Sequence, residues 1–377
     1  MSLPAAVRPA ARPAVASPRR VLVVCLRRIG DVLLATALIR SLKTAWPQAQ
    51  IEALVFAETA AVLAGNPDLA RVMALPARGP EWRRTLLPLF RAYDLAIATQ
   101  TSDRAHGVAR WCGRRTAGLL PPSNEPGRTW KRLLIGRTAT PEAAQHAVVR
   151  YLALADALGI PRVPVVVPPR PALLDRLDAA LGSAWDARRY AVVHPMAMFR
   201  YKGWTQAGWR ALIAGLRTRD LRVCVTGGPA AAERAFVAEL LSPFAADADV
   251  IDLAGRLSLA ELTPLLEAAQ VFIGPDTSVT HLAAACGTPT VALFGPSDPV
   301  VWGPWPQGCA SDAASPWQRK AAGQSLGNVT LLQGTAGRYP DCIPCLQEGC
   351  ERRLDSGSDC LDALPPARVL AAVRAHG

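Results

Sequence analysis

No apolar run in the 377 residues reaches the roughly 18 to 20 that a membrane span needs. The longest, such as Val21 to Leu26 and Val291 to Phe294, are strand-sized. A soluble or peripheral protein is therefore expected. Residues 1–19 are rich in Ala, Pro and Arg and lack the apolar centre of a secretory signal, so they read as a disordered basic tail of a cytoplasmic protein. Charge is sparse as well. Only 19% of residues are charged against 50% hydrophobic, a balance that excludes a disordered chain. The Gly-x-Gly-x-x-Gly dinucleotide fingerprint is missing after the first strand. No nucleic-acid module and no interleaving of basic and aromatic residues is present, so nucleic acid is not an expected partner.

What the chain does have is a positive excess of +12, of which Arg8, Arg12, Arg19 and Arg20 place four charges in or beside the tail. Such a surface favours an anionic partner, whether phospholipid headgroups, an acidic glycolipid or nucleic acid. It also has nine cysteines, which a cytoplasmic setting keeps reduced. Cys25, Cys112, Cys224, Cys286 and Cys309 are scattered, while Cys342, Cys345, Cys350 and Cys360 cluster near the C-terminus.

The length suits two domains, each with its own core. Short apolar runs alternate with helical patterns, the signature of parallel sheets with crossover helices. Strands are expected at Val21–Leu26, Ile51–Val55, Val72–Leu75 and Leu95–Ala98, with helices over 31–45 and 142–158. A Pro-rich linker, 161–171, follows, and the pattern then restarts. Further strands are expected at Tyr190–His194, Leu221–Val225, Val250–Leu253, Val271–Ile273 and Thr290–Phe294, with helices over 205–216 and 229–241. The expected division is 20–160, linker, 172–364, and a closing helix within 365–377 that packs back on the first domain. The segment 309–339 reads as a long loop. Two such α/β halves face each other across a cleft and bind ligands at the carboxyl ends of their strands.

Two segments at strand ends carry the densest chemistry. Gly274-Pro-Asp-Thr-Ser-Val-Thr-His281 opens an apolar helix, where free N–H groups and the helix dipole suit a phosphate. Thr277 and Ser278 add hydroxyls, either of which could serve as the helix cap. The second, Arg28-Ile-Gly30-Asp31, follows the first strand. An acid there can take a proton from a hydroxyl nucleophile, or simply favour the helix dipole. His194-Pro195 and Arg200-Tyr-Lys202-Gly-Trp204 form a third cluster. Its lysine could balance a diphosphate leaving group, and Trp204 reads as a packing anchor. Gly228, in Gly227-Gly228-Pro229, allows close approach of backbone to a ligand or a plain turn. Cys342, Cys345, Cys350 and Cys360 could ligate zinc or an iron–sulfur cluster, but their spacing fits neither common pattern closely. A reduced, partly buried cluster without metal is the expectation.

Together these motifs resemble the ADP-heptose:lipopolysaccharide heptosyltransferases, glycosyltransferase family 9, from about Arg20 to the C-terminal helix. The most specific stretch runs from Phe-Ile-Gly-Pro-Asp276-Thr-Ser and His281-Leu-Ala-Ala-Ala through Phe294-Gly-Pro-Ser to Trp302. Arg-Arg-Ile-Gly-Asp31-Val-Leu, Tyr201-Lys202-x-Trp204 and His146-x-x-x-Arg150-Tyr151-Leu also fit. The four-cysteine tail is similar to that of some heptosyltransferase III-like members. The resemblance implies a GT-B fold of two Rossmann-like domains, acceptor in the first and nucleotide sugar in the second. It further implies inverting transfer with neither metal nor cofactor, on the lipopolysaccharide inner core at the cytoplasmic face of an anionic inner membrane. By the same resemblance Asp31 is the general base, and Arg28 and Gly30 lie on the acceptor side. Lys202 contacts the donor diphosphate, and Asp276 binds the sugar hydroxyls. Thr277 and Ser278 make the phosphate turn; His281 and Gly228 complete the donor side. At that glycine turn, where some relatives place an acid for the ribose, only backbone is expected. A nucleotide-sugar epimerase on the same fold and a silent sugar-binding protein are the rival readings. A basic nucleic-acid-binding protein is the third.

Overall fold

The computed structural model describes residues 16–76, 79, 81–125, 127–174, 177, 179, 181, 189–310, 313–334 and 342–374. Most of the expected tail, 1–15, lies outside them. Among these residues the chain forms two sheets. The first takes β1 (Arg20–Cys25), β2 (Gln50–Phe56), β3 (Arg71–Leu75), β4 (Tyr93–Ala98), β5 (Gly113–Leu119) and β6 (Arg137–Ala139) in the order β3-β2-β1-β4-β5-β6. All its pairings are parallel. In β1 the period of two sends Val21, Val23 and Cys25 to one core and Leu22 and Val24 to another. A strand buried on both faces reads as an unbroken apolar run. Around this sheet lie α1 (Ile29–Leu34), α2 (Thr36–Ala45), α3 (Glu81–Leu86), α4 (Asp103–Cys112), α5 (Arg128–Leu134) and α6 (Ala147–Leu158).

The second sheet takes β7 (Tyr190–Val193), β8 (Arg222–Val225), β9 (Val250–Asp252), β10 (Val271–Pro275), β11 (Thr290–Phe294), β12 (Gly323–Leu326) and β13 (Val329–Gln333). Its order is β12-β13-β11-β10-β7-β8-β9, parallel except at the β12–β13 hairpin. Its helices are α7 (Gln206–Arg217), α8 (Ala231–Leu241), α9 (Leu259–Ala268), α10 (Ser278–Ala285), α11 (Pro299–Trp302), α12 (Asp359–Asp362) and α13 (Pro366–Arg374).

Four expectations are corrected. The single helix over 31–45 is two, broken at Ala35. There the Thr36 hydroxyl donates back to Leu33 O (2.6 Å) and accepts the Val167 N–H (2.8 Å). The Pro-rich linker is thus stitched to α2, with Val163 N–H also bonded to Ser41 Oγ (2.8 Å). The helix expected over 142–158 begins at Ala147, because His146 Nδ1 caps it by accepting the Val148 N–H. Within the expected loop 309–339, buried β13 extends the sheet and exposed β12 shields its edge; 311, 312 and 335–339 lie outside the described residues. Finally, α13 does not pack back on the first domain. It lies on α7, where Gly215 leaves room for Leu370, and its Val369 and Val373 join the second-domain core.

The two halves share a continuous apolar core, in which Leu33 and Tyr151 meet a cluster that includes Leu265, Phe272 and Leu282. A polar latch crosses beside it. His146 Nε2 donates to Gly303 O at 2.7 Å, and Trp305 Nε1 donates to Pro164 O at 2.9 Å. Since Nδ1 must accept and Nε2 must donate, His146 is neutral; burial pushes its pKa down to about 3. Burial likewise takes His194 down to about 4. Both values lie below those of the unfolded chain, so the unfolded chain binds more protons in acid. Stability from these residues is complete above the unfolded value and is lost as pH falls toward the folded ones. Lowering the pH from 7 to 5 is expected to remove about 2 kcal/mol per histidine, read by urea unfolding across that range. A flat stability profile there would contradict it.

Candidate active site

Asp31 sits in the first turn of α1, directly after β1, where the resemblance put the base. It is 7% exposed. Its Oδ1 accepts from Tyr151 Oη (3.2 Å) and Arg27 Nε (3.4 Å). Burial, with the Asp31 charge beside it, drives the Tyr151 pKa well above its ordinary value. The phenol therefore stays protonated and serves as a fixed donor. Asp31 in turn raises the Arg27 pKa. Neither partner is assigned a role by local sequence alone. Tyr151 lies 120 positions away on α6, and only the fold brings it to Asp31.

On the facing domain Lys202 Nζ donates to Asp276 Oδ2 at 2.6 Å, and His281 Nε2 lies 4.0 Å from Oδ1. Burial works against the Asp276 charge, but Lys202, His281 and a hydrogen bond from Ser297 outweigh it and hold the carboxyl below its usual range. Of these, Lys202 carries the effect at neutral pH, because burial lowers the His281 pKa and leaves that ring neutral. Burial also works against the Lys202 charge, yet Asp276 raises its pKa above the ordinary lysine value. The two form a fixed ion pair. His281 Nδ1 is buried with no hydrogen-bond partner among the described residues.

These two loci meet. A Cβ on Gly30 would stand 3.6 Å from His281 Cδ2 and 3.9 Å from Ser278 Cα, so the first turns of α1 and α10 abut. Arg28 reaches over from the first domain onto the Phe199 ring, 5.1 Å from its centroid. Asp31 and the Lys202–Asp276–His281 group thus lie on abutting turns where the two halves meet. Thr277 caps α10 by accepting the Thr280 N–H, which leaves the other first-turn amides, Ser278 included, directed at the same space.

The other expected residues are placed differently. At the glycine turn, Gly228 N–H donates to Glu233 Oε2 (2.6 Å) from the first turn of α8, which corrects the expectation that only backbone is present. Arg200 is engaged with Asp362 and Gly203 O and is structural. Trp204 is the buried anchor it reads as, donating to Leu364 O (3.1 Å). His194 pairs with Thr226 Oγ1 (3.0 Å). Cys360 is buried, and burial with Cys345, Cys350 and Cys342 nearby pushes its thiol up to about 12. Among the described residues no three His, Cys, Asp or Glu side chains are grouped to hold a metal ion.

The architecture has close counterparts in solved structures. The Escherichia coli ADP-heptose lipopolysaccharide heptosyltransferase II superposes with a TM-score of 0.70 at 20% identity, covering 95% of this chain and 98% of that one. The fold is GT-B. In sequence, lipopolysaccharide heptosyltransferase 3 of Escherichia coli is 28% identical over 74% of this chain and 84% of its own length. Lipopolysaccharide heptosyltransferase 1 of Pseudomonas aeruginosa is 32% identical over 74% of this chain and 79% of its own. Residues 87–319 match glycosyltransferase family 9 (heptosyltransferase). With most of the chain matched in this way, it belongs to glycosyltransferase family 9, the heptosyltransferases.

Proposed function

We propose that this glycosyltransferase moves a heptose from ADP-heptose to the lipopolysaccharide inner core, inverting the anomeric carbon, with no metal or cofactor taking part. Relatives named lipopolysaccharide heptosyltransferases support the acceptor and the sugar, and the similar structure named for ADP-heptose supports the donor. The observation that carries the mechanism is the abutment of α1 and α10, which sets Gly30, next to Asp31, against His281, next to the Lys202–Asp276 pair. The domain of residues 20–160 takes the acceptor, with Arg28 and Gly30 beside it, and 172–364 takes the donor.

The chemistry follows from charge. Asp31 removes the acceptor hydroxyl proton as the oxygen bonds to the anomeric carbon. On the opposite face the bond from that carbon to the diphosphate oxygen breaks, and ADP leaves with the electron pair. Lys202 and the amide-rich first turn of α10, with Thr277 and Ser278, oppose the growing phosphate charge. Asp276 and His281 hold sugar hydroxyls, the buried Nδ1 of His281 finding its partner there. At the Gly228 turn Glu233 offers a carboxylate to the ribose. The acceptor is a glycolipid, so the enzyme works at the cytoplasmic face of the inner membrane as a peripheral protein.

The test is transfer from a panel of nucleotide sugars, ADP-heptose included, to truncated lipopolysaccharide acceptors, read by mass spectrometry. A heptose-sized gain with ADP release is expected. Conversion of the nucleotide sugar without an acceptor would instead make it an epimerase. The Tyr151→Phe variant removes one of the two hydrogen bonds that aim Asp31. Its kcat is expected to fall about tenfold, the worth of one such bond to a charged group, with little change in KM for the donor. An unchanged kcat would remove Tyr151 from any positioning role.

A further inference from the structure

The first domain exposes large apolar side chains in one region alone among the described residues of 16–160: Leu87, Phe90, Trp111, Trp130, Leu133 and Leu134. Leu133 is 81% exposed. These residues come from three segments assembled around α4. At its C-terminal end Trp111 Nε1 donates to Leu86 O (2.8 Å), and the Phe90 and Trp111 rings lie 4.6 Å apart. At its N-terminal end Asp103 pairs with Lys131 (2.8 Å), and His106 meets Trp130 edge-on at 6.5 Å. Since α4 has ten residues, its ends are about 15 Å apart, and the apolar residues form one face of the domain.

The charge on this face is lopsided. The segments 81–91, 103–115 and 128–134 carry ten Lys and Arg against two Asp and Glu, whereas the whole chain has 42 against 30. Of those two acids, Asp103 is already paired with Lys131. We propose that this face docks the enzyme on the surface of an anionic lipid bilayer, with Leu87, Phe90, Leu133 and Leu134 inserted among the acyl chains. The arginines around them meet the headgroups, and Trp111 and Trp130 sit at the interface, where amphipathic rings are favoured. A second copy of the chain is a poor occupant, because a two-fold contact would press a net eight positive charges against eight. Nucleic acid would use the charge but leave the leucines in water.

The location suits the reaction. α5 follows the carboxyl end of β5, the edge of the sheet at which Asp31 lies, so the Trp130–Leu134 end of this face is the one nearer the acceptor side of the cleft. That link to a lipid-borne acceptor rests on the transfer reading; the docking itself does not.

Co-sedimentation of the full chain with vesicles tests it, using equimolar phosphatidylglycerol and phosphatidylcholine against phosphatidylcholine alone. Binding to the anionic vesicles only, falling as salt rises, is expected, with a blue shift of tryptophan emission. Two double variants, Phe90→Asp with Leu133→Asp and Arg110→Glu with Arg132→Glu, should each weaken partitioning at least about tenfold. Both should keep the wild-type melting temperature and turnover on a soluble, lipid-free core acceptor. The proposal fails if wild type ignores anionic vesicles, or if the variants partition like wild type. It fails equally if the variants change the protein's oligomeric mass without lipid, since the face would then hold a second copy. Because partitioning is measured without substrates, silence in the transfer assay alongside intact vesicle binding would sink the reaction and spare the surface.

Discussion

The Asp31→Asn enzyme is expected to fold normally and to transfer sugar at least about a thousandfold more slowly than wild type, within the range for loss of a general base. The amide keeps the size of the carboxylate, and its oxygen can still accept from Tyr151 and Arg27, so the local hydrogen bonds survive. What disappears is the basic oxygen proposed to take the acceptor proton. The proposed donor contacts lie on the other domain, with Lys202, Asp276 and the first turn of α10. KM for the nucleotide sugar should therefore change little while kcat collapses. Circular dichroism and the melting temperature check the fold, and mass-spectrometric product counting gives the rate. Turnover near wild type from a folded Asp31→Asn protein would remove Asp31 from the base role. The contrast with Tyr151→Phe sharpens the result, since an aiming residue should cost far less than the group it aims.

Much of this site is legible in the sequence because its residues sit at strand ends. Asp31 follows the apolar run of β1, and Asp276 through His281 follow that of β10; each parallel sheet gathers its carboxyl ends on one edge, and the first turns after these two strands abut where the halves meet. Lys202 also follows a strand, β7, which neighbours β10. Tyr151 and Glu233 were assigned no role for a different reason. Each lies on a helix, and its partner is set by packing that no local spacing encodes. Four strands lie outside the expected set: β6 is three residues long and β13 a short apolar run inside the expected loop, whereas β5 opens Gly-Arg-Arg and carries no apolar run until its end, and β12 is polar and exposed. Their pairing with β4 and β13 supplies what the local pattern lacks. The break at Ala35 was hidden because its apolar periodicity continues into α2, while the linker amide that uses Thr36 arrives from 131 residues away.

Removing the Lys202 ammonium should damage activity and stability together, and the two losses can be separated. In Lys202→Met the diphosphate would lose the counter-charge proposed for it, and turnover is expected to fall about a hundredfold to a thousandfold. Asp276 is simultaneously left as a buried carboxylate without its ion-pair partner, since it is 9% exposed and Lys202 was its closest cation. Breaking a buried pair from one side typically costs about 3–5 kcal/mol; the Lys202 side chain keeps 22% of its exposure, so about 2–3 is expected here. Adding Asp276→Asn removes the stranded charge and should restore most of the stability and none of the turnover. Acid separates the variants further. In wild type the Asp276 pKa is held below its unfolded value, so its contribution is complete above the ordinary carboxylate range and fades as pH falls through the folded value. In Lys202→Met burial is left as the main influence and lifts the folded pKa above the unfolded one. Protonation then favours the folded state, and the deficit of this variant relative to wild type should shrink as pH falls from 7 toward 4. Urea unfolding of the three proteins at those two pH values measures it. A deficit that stays constant would mean that the lost stability comes from packing of the lysine stem, because packing does not titrate.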